Sequence, residues 1–457
     1  MASTIELDCT LKQLYDLDST NDGPIYLVYA IPTATVQMSR GIPISTKYAY
    51  QDPLAHKDTD IQARIFTQVV PQLFGMIAGK MNLIMFDLDA SESSHNIDPQ
   101  ARIDTAEVME QLAEHQRPMT MYVRNASDIV LPPTALLAVA NPMDCLEHIP
   151  ATVPAESHYR ALSKRDLVLS GLLTPPSVIV DTILDADQVL DPSLRAAEVS
   201  RMLHTIEEKP PSYVVKLPQA LSGQGTFLIR NKSERSEALA VLGPEVDRML
   251  RQLNRANSHL HPASFILQEM VAGSAMAISL FVPKSGDPVM TSCCDQFIDA
   301  SGHWDGGHIS YSQQHHLRVE YMPVAKAIAT YMQRLGYYGP LGADVMTGLD
   351  GEHLVIDLNT RVTGSHPLGF MKGYFSVTRG FNDAAVFFPL FLGVSLSEFK
   401  QRFAAELAQG RIVIAGWCHE RGGKGSVSTI IIAGEDQARL GALAERVKEL
   451  RKLEHHH

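Results

Sequence analysis

The chain has little of what several protein classes require. Five cysteines in 457 residues give no disulfide framework, so a reducing, cytoplasmic setting is expected. No basic stripe offsets the net charge of −12, which argues against a broad nucleic-acid surface. No charge-free apolar stretch reaches the roughly 20 residues of a spanning helix, and Met1 to Asp8 carries early acids with no apolar signal region. Neither partnership with nucleic acid nor one with membrane is expected. The glycines form neither G-x-x-x-x-G-K-[ST] nor a helix-opening G-x-G-x-x-G, which sets aside the P-loop and Rossmann sites. Cys293-Cys294 lies in an ordinary strand-like run, and nothing marks either thiol as a nucleophile.

Hydrophobic residues, by contrast, make up 45%, ample for packed cores, and the length suggests about three domains. In the first 150 residues, apolar runs at Ile25 to Ala30, Asn82 to Leu88 and Met119 to Val123 alternate with helix-like spacing over Ile61 to Lys80 and Thr105 to His115. That alternation predicts an α/β domain with a mainly parallel sheet.

The chemistry is concentrated later. Val345 to Thr347 and His353 to Asp357 flank Gly348-Leu349-Asp350-Gly351, whose Asp-Gly ending predicts a hairpin. Pairing across it sets Asp344 near Asp357, and the period of two places Asp357 and Asn359 on one face. Two carboxylates and an amide oxygen are hard ligands suited to Mg²⁺ or Mn²⁺, with phosphate oxygens and water completing the octahedron. A solvated hairpin with scattered acids would read the same way on this segment alone.

Upstream, Tyr213 to Leu217 reads as a buried strand carrying one lysine, Lys216, followed by the glycine turn Ser222-Gly223-Gln224-Gly225-Thr226 and a second strand at Phe227 to Ile229. Such a turn lets backbone N–H groups approach phosphate oxygens while a lysine supplies a point charge. Phe265 to Val271 is β-rich, and its edge suits an adenine, with Gln268 or Glu269 taking the exocyclic amine.

Lysine strand, glycine turn, polar-ended strand and acidic hairpin, in that order, resemble the ATP-grasp superfamily, in which two α+β subdomains grip ATP and a carboxylate becomes an acyl phosphate. The resemblance implies that Lys164 and Lys216 bind the nucleotide, that Ser222, Gly223, Gln224 and Gly225 cover the phosphates, and that Gln268, Glu269, Met270 and Val271 form the adenine hinge. It implies metal ligation by Asp344, Asp357 and Asn359, and it gives Lys216 and Arg361 catalytic roles, with Arg361 the cation for the developing acyl-phosphate charge. Gly171 to Pro176 is similar to the family's helix-ending junction, and Gly336-Tyr337-Tyr338-Gly339 to its lead-in toward the first metal acid. Asp357-Leu358-Asn359-Thr360-Arg361 departs from the family in having aspartate for glutamate, and no acid after the hinge is available for the ribose.

The expected fold is therefore α/β and α+β: a pre-ATP-grasp α/β domain over 1–155, a linker helix and small ATP-grasp subdomain over 156–271, and a large subdomain over 272–409. A small C-terminal α+β module follows over 410–452, and 453–457 resemble an expression tag. The tail pairs strand-like Arg411 to Gly416 and Ser426 to Ile432 through Glu420 to Gly425, and resembles the C-terminal module of pheganomycin-type peptide ligases. Phe387 to Leu392 reads as a core helix. His303, His308, His315 and His316 match no standard zinc spacing and read as an irregular loop over the cleft.

The activity that the resemblance implies is an ADP-forming ligase that uses ATP with Mg²⁺ or Mn²⁺ to join a small-molecule carboxylate to an amine, in specialised metabolism. Acyl transfer to a carrier-protein thiol or a hydroxyl, and a non-catalytic ATP-binding regulator on the same fold, remain as alternatives. A homodimer is an open expectation.

Overall fold

The computed structural model describes residues 4–18, 23–30, 42–51, 59–87, 99–220, 225–298, 304–419 and 425–451. Four short strands come first: β1 (Ile25–Val28), β2 (Asn82–Phe86), β3 (Met119–Val123) and β4 (Leu136–Val139). They pair in parallel in the order β3-β2-β1-β4. Parallel sheets are covered on both faces, which is why β1 and β2 read as nearly unbroken apolar runs. The helices Thr59–Ala78 and Pro99–Met109 alternate with these strands as expected, although the second begins earlier than its apolar spacing suggested.

The next sheet is antiparallel, with β5 (Ser177–Asp181), β6 (Tyr213–Lys216), β7 (Thr226–Ile229) and β8 (Ser264–Glu269) in the order β5-β8-β6-β7. It closes its own core, in which Met202 and Ile206 of the helix Pro192–Glu208 and Leu242, Val246 and Met249 of the helix Lys232–Gln252 pack on Tyr213, Val215 and Phe265. This unit is the small lobe.

The large lobe is an eight-stranded antiparallel sheet. It comprises β9 (Gly273–Val282), β10 (Val289–Ile298), β11 (Trp304–Ser310), β12 (Gly339–Gly348), β13 (His353–Asn359), β14 (Asp383–Leu392), β15 (Ile412–His419) and β16 (Ser426–Gly434). Their order is β13-β12-β9-β10-β11-β14-β16-β15. Only Met270 to Ala272 separate β8 of the small lobe from β9 of the large one. The tail strands β15 and β16 pair as expected and continue the large sheet beyond β14. Of the connection between them, 420–424 lie outside the described residues.

Two expectations are corrected. Phe387 to Leu392 is strand, not helix: it belongs to β14, which pairs with β11 on one side and β16 on the other. A short apolar run buried from both sides has no periodicity that separates strand from helix. The histidine segment is not an irregular loop: His308 lies within β11, and His315 and His316 lie in the first turn of the helix Gln314–Arg334, while His303 is outside the described residues. His308 Nε2 lies 2.9 Å from Asp383 Oδ1 and its Nδ1 3.4 Å from Asp295 Oδ2, so its polarity is met within the sheet.

β15 is the sheet's edge, and an edge strand leaves backbone groups unpaired. Two glutamines from the N-terminal domain fill that place. Gln72 donates Nε2 to the Trp417 carbonyl at 2.9 Å and accepts the Trp417 N–H at 2.9 Å. Gln111 does the same for Ile414, at 2.7 and 3.2 Å. Each amide imitates a neighbouring peptide, and a Cβ at Gly416 would lie 2.9 Å from Val69, so the helix Thr59–Ala78 seats directly on the strand. The parallel-sheet domain and the large lobe consequently share one continuous core around Leu73, Ile77, Phe399 and Trp417.

Gln72→Leu would leave the buried Trp417 N–H and carbonyl unpaired. A loss of roughly 2 kcal/mol is expected, measured by urea unfolding followed through tryptophan fluorescence; an unchanged midpoint would remove the edge-capping role.

Candidate active site

The acidic hairpin folds as its turn dictates. Gly351 adopts φ +86°, a conformation that favours glycine, and β12 and β13 then pair so that Asp344 faces Asp357 across the ladder. Asp344 also lies beside Ala277 of β9, which places it inside the sheet. Its Oδ1 accepts from Gln296 Nε2 at 2.6 Å. Asn359 follows Asp357 by two residues on the same face, its Nδ2 3.5 Å from Asp344 Oδ2.

Two lysines meet this face from the small-lobe side. Lys164 opens the short helix Lys164–Leu169, capped by Ser163, and its Nζ lies 3.3 Å from Asp357 Oδ1. It also donates to the Ala220 carbonyl at 3.2 Å. Lys216, the last residue of β6, is buried and donates to the Ile356 carbonyl at 2.7 Å. Burial pulls its ammonium down to about 8, against the opposing pull of Asp357. Asp344 is pushed up to about 7, first by burial and then by the like charge of Asp357.

That combination decides whether a divalent cation fits. Two hard carboxylates held in register, one of them displaced toward its neutral form by burial and then by the other, form a donor set that added positive charge would relieve. Among the described residues no cluster of three His, Cys, Asp or Glu side chains forms a self-sufficient metal cage. The set of Asp344, Asp357 and Asn359 therefore fits an ion that takes its remaining ligands from phosphate and water.

The other predicted residues are placed as follows. Gly225 closes the turn after β6, where a Cβ would fall 2.1 Å from that of Ala220; Ser222, Gly223 and Gln224 lie outside the described residues. Gln268 is buried on β8 with its amide on Ser177 Oγ at 3.2 Å, whereas Glu269 is exposed and its N–H is taken by the Pro176 carbonyl at 2.9 Å. Met270 and Val271 continue into the interlobe connection, the Met270 sulfur receiving Ser212 Oγ–H at 2.9 Å. Gly171 takes φ +79° just past the helix Lys164–Leu169, as its helix-ending reading requires.

Arg361 leaves β13 beside this set. Its Nη2 donates to Asn359 Oδ1 at 3.0 Å, while its Nη1 is buried with no partner among the described residues. Sequence reading missed Gln296, which holds Asp344, and the buried His158, whose Nε2 is 2.8 Å from the Thr360 carbonyl. Neither carries a local motif; only the sheet order and the domain junction bring them here.

Comparison with known proteins bears on the fold. Residues 184–365 match the model of the ATP-grasp domain. Among solved structures the chain is similar to an L-amino acid ligase from Bacillus licheniformis, with 11% identity, TM-score 0.51, and coverage of 94% of this chain and 98% of that one. It is also similar to an N5-carboxyaminoimidazole synthetase from Staphylococcus aureus complexed with ADP, with 9% identity, TM-score 0.50, and coverage of 93% and 98%. No curated protein matches. The chain carries an ATP-grasp domain, and the ATP-grasp fold extends over nearly its whole length. Among the described residues no helix is long and apolar enough to cross a membrane.

The upward shift at Asp344 has a stability consequence. A carboxyl whose folded-state value lies above its ordinary one costs stability progressively as pH rises from about 4 through 7, and in full above that. Asp344→Asn keeps an acceptor for Gln296 and removes the charge. It should stabilise the nucleotide-free protein by roughly 1–2 kcal/mol at pH 8 and by little at pH 4. Thermal unfolding at the two pH values checks this; destabilisation at pH 8 would contradict the assigned repulsion.

Proposed function

We propose that this protein is an ATP-dependent, ADP-forming ligase that activates a small-molecule carboxylate and joins it to an amine. The observation that carries the reading is the facing of Asp344, Asp357 and Asn359 by Lys164 and Lys216, with Arg361 adjoining. A carboxylate approaching a triphosphate meets strong like-charge repulsion, so cations must neutralise the phosphates and hold the attack in line. Asp344, Asp357 and Asn359 would hold magnesium or manganese, which when bound would supply part of that neutralisation.

The chain's own groups supply the rest. Lys216 and Lys164 give up their contacts with the Ile356 carbonyl and Asp357 to hold phosphate oxygens. The Glu269 to Val271 edge takes the adenine. Arg361 holds the acid beside the terminal phosphate, so that one carboxylate oxygen attacks the γ-phosphorus and ADP leaves. The acyl phosphate remains against Arg361, where the guanidinium offsets its charge. An amine then attacks the carbonyl carbon, phosphate departs and the amide forms. The likeness to a solved L-amino acid ligase supports an amino-acid or peptide-like acid.

ADP release measured over a panel of acids and amines, with product masses, tests the reading. Release that requires both an acid and an amine and yields their condensed mass is expected. Nucleotide binding without acid-stimulated ADP release would overturn it, and condensation only onto thiols or hydroxyls would replace the amine.

Asp357→Ala should lower turnover at least a thousandfold while the protein stays folded, because it removes a ligand and little core volume. Lys216→Ala should weaken ATP binding at least tenfold and acid binding far less. Calorimetric titration separates the two, and a larger effect on the acid would reverse the assignment of Lys216.

A further inference from the structure

Where the parallel sheet meets the exit of β13, the structure forms a half-open cavity with about 30 Å³ of free space. That is room for one or two water-sized groups. Its apolar wall comes from Leu27, Val28, Phe74 and Val139, and its polar edge from His158, Thr360 and Arg361. Each of these three carries a buried atom with no hydrogen-bond partner among the described residues: His158 Nδ1, Thr360 Oγ1 and Arg361 Nη1. Buried polar atoms are almost always paired, so three orphans around one cavity mark a place made for something else.

The identity of that group follows from donor and acceptor roles. His158 Nε2 is 2.8 Å from the Thr360 carbonyl, which can only accept, so Nε2 holds the proton. Burial, with the nearby Arg361 charge, keeps the ring neutral by pulling its pKa down to about 4, and Nδ1 is left as an acceptor. Arg361 Nη1 can only donate, and the Thr360 hydroxyl can do either. The cavity therefore calls for an oxygen that accepts from the guanidinium, next to an N–H or O–H that donates to His158. A plain carboxylate provides only the first. A carboxylate with an amino or hydroxyl group on its α-carbon provides both; two such polar groups match the free space, and the rest of the acid would lie toward the open side.

We propose that this cavity seats the head of the acid substrate, and that His158 selects acids bearing a hydrogen-bond donor on the α-carbon. The proposal deepens the ligase reading and rests on it for the role of Arg361.

The test is calorimetric titration of the full chain, with Mg²⁺ and a nonhydrolysable ATP analogue, against two matched series. One is L-alanine, L-lactate and propionate; the other is L-phenylalanine, L-phenyllactate and 3-phenylpropionate. In at least one series an α-substituted acid should bind at least tenfold more tightly than the unsubstituted one. Preference for the amino member identifies amino acids, and preference for the hydroxy member identifies hydroxy acids. His158→Leu should erase the difference, and His158→Gln, which restores an acceptor oxygen, should recover part of it; circular dichroism confirms that each variant is folded. Equal affinities within both series, no binding in either, or a preference that survives in folded His158→Leu would overturn the proposal and leave the cavity to ordered water. Acid-stimulated ADP release with an unsubstituted acid would in that case still uphold the ligase reading, so the two failures are distinguishable.

Discussion

The candidate site depends on keeping two like charges together. Asp344 and Asp357 are brought face to face by the β12–β13 register, and the cost appears in the carboxyl of Asp344, held far above its usual range by burial and by its neighbour. Such a pair persists only where the surrounding fold over-determines it and positive charge is at hand. Here Lys164 reaches Asp357 directly, and Lys216 stands buried behind the same strand. The small lobe is thus tied to the large one through the groups that a polyphosphate and its cation would claim. In the proposed reaction, their release would exchange one set of opposite charges for another.

A second constraint joins the parallel-sheet domain to the large lobe, while the cation set lies where the small lobe meets it. Gln72 and Gln111 complete the edge of β15, and the core runs unbroken from the parallel sheet into the large lobe. The wall of the cavity beside Arg361 therefore belongs to the same packed body as β13. The small lobe, with its separate core, joins that body through the short connection after β8 and through contacts such as the Val355 N–H on the Leu173 carbonyl at 2.8 Å.

How much of this was legible in the chain follows from where the determinants lie. The acidic hairpin was readable because Asp350-Gly351 specifies its turn locally and the period of two then fixes which residues share a face. The parallel sheet was readable from its alternating runs. Phe387 to Leu392 was not, because its strand state is imposed by β11 and β16 on either side and not by its own pattern. Gln296 acts on a residue 48 positions away and His158 on one 202 positions away. A glutamine or histidine without a motif acquires its role from topology, and topology is the least local property of a sequence.

Arg361 shows what that topology achieves. One amino group of its guanidinium is on Asn359, at the edge of the cation set; the other is buried near His158 and Thr360, at the edge of the cavity. A planar, permanently charged fork is the one side chain that can address two such places at fixed geometry. Lysine, with a single point charge, would serve one and leave the other. The same geometry couples the two halves of the proposed reaction: an acid held by Nη1 lies within the reach of a guanidinium from the amide that borders the phosphates. In the proposed reaction, anchoring of the acid and neutralisation of its phosphorylated form would then fall to one residue, with His158 beside it to select the acid.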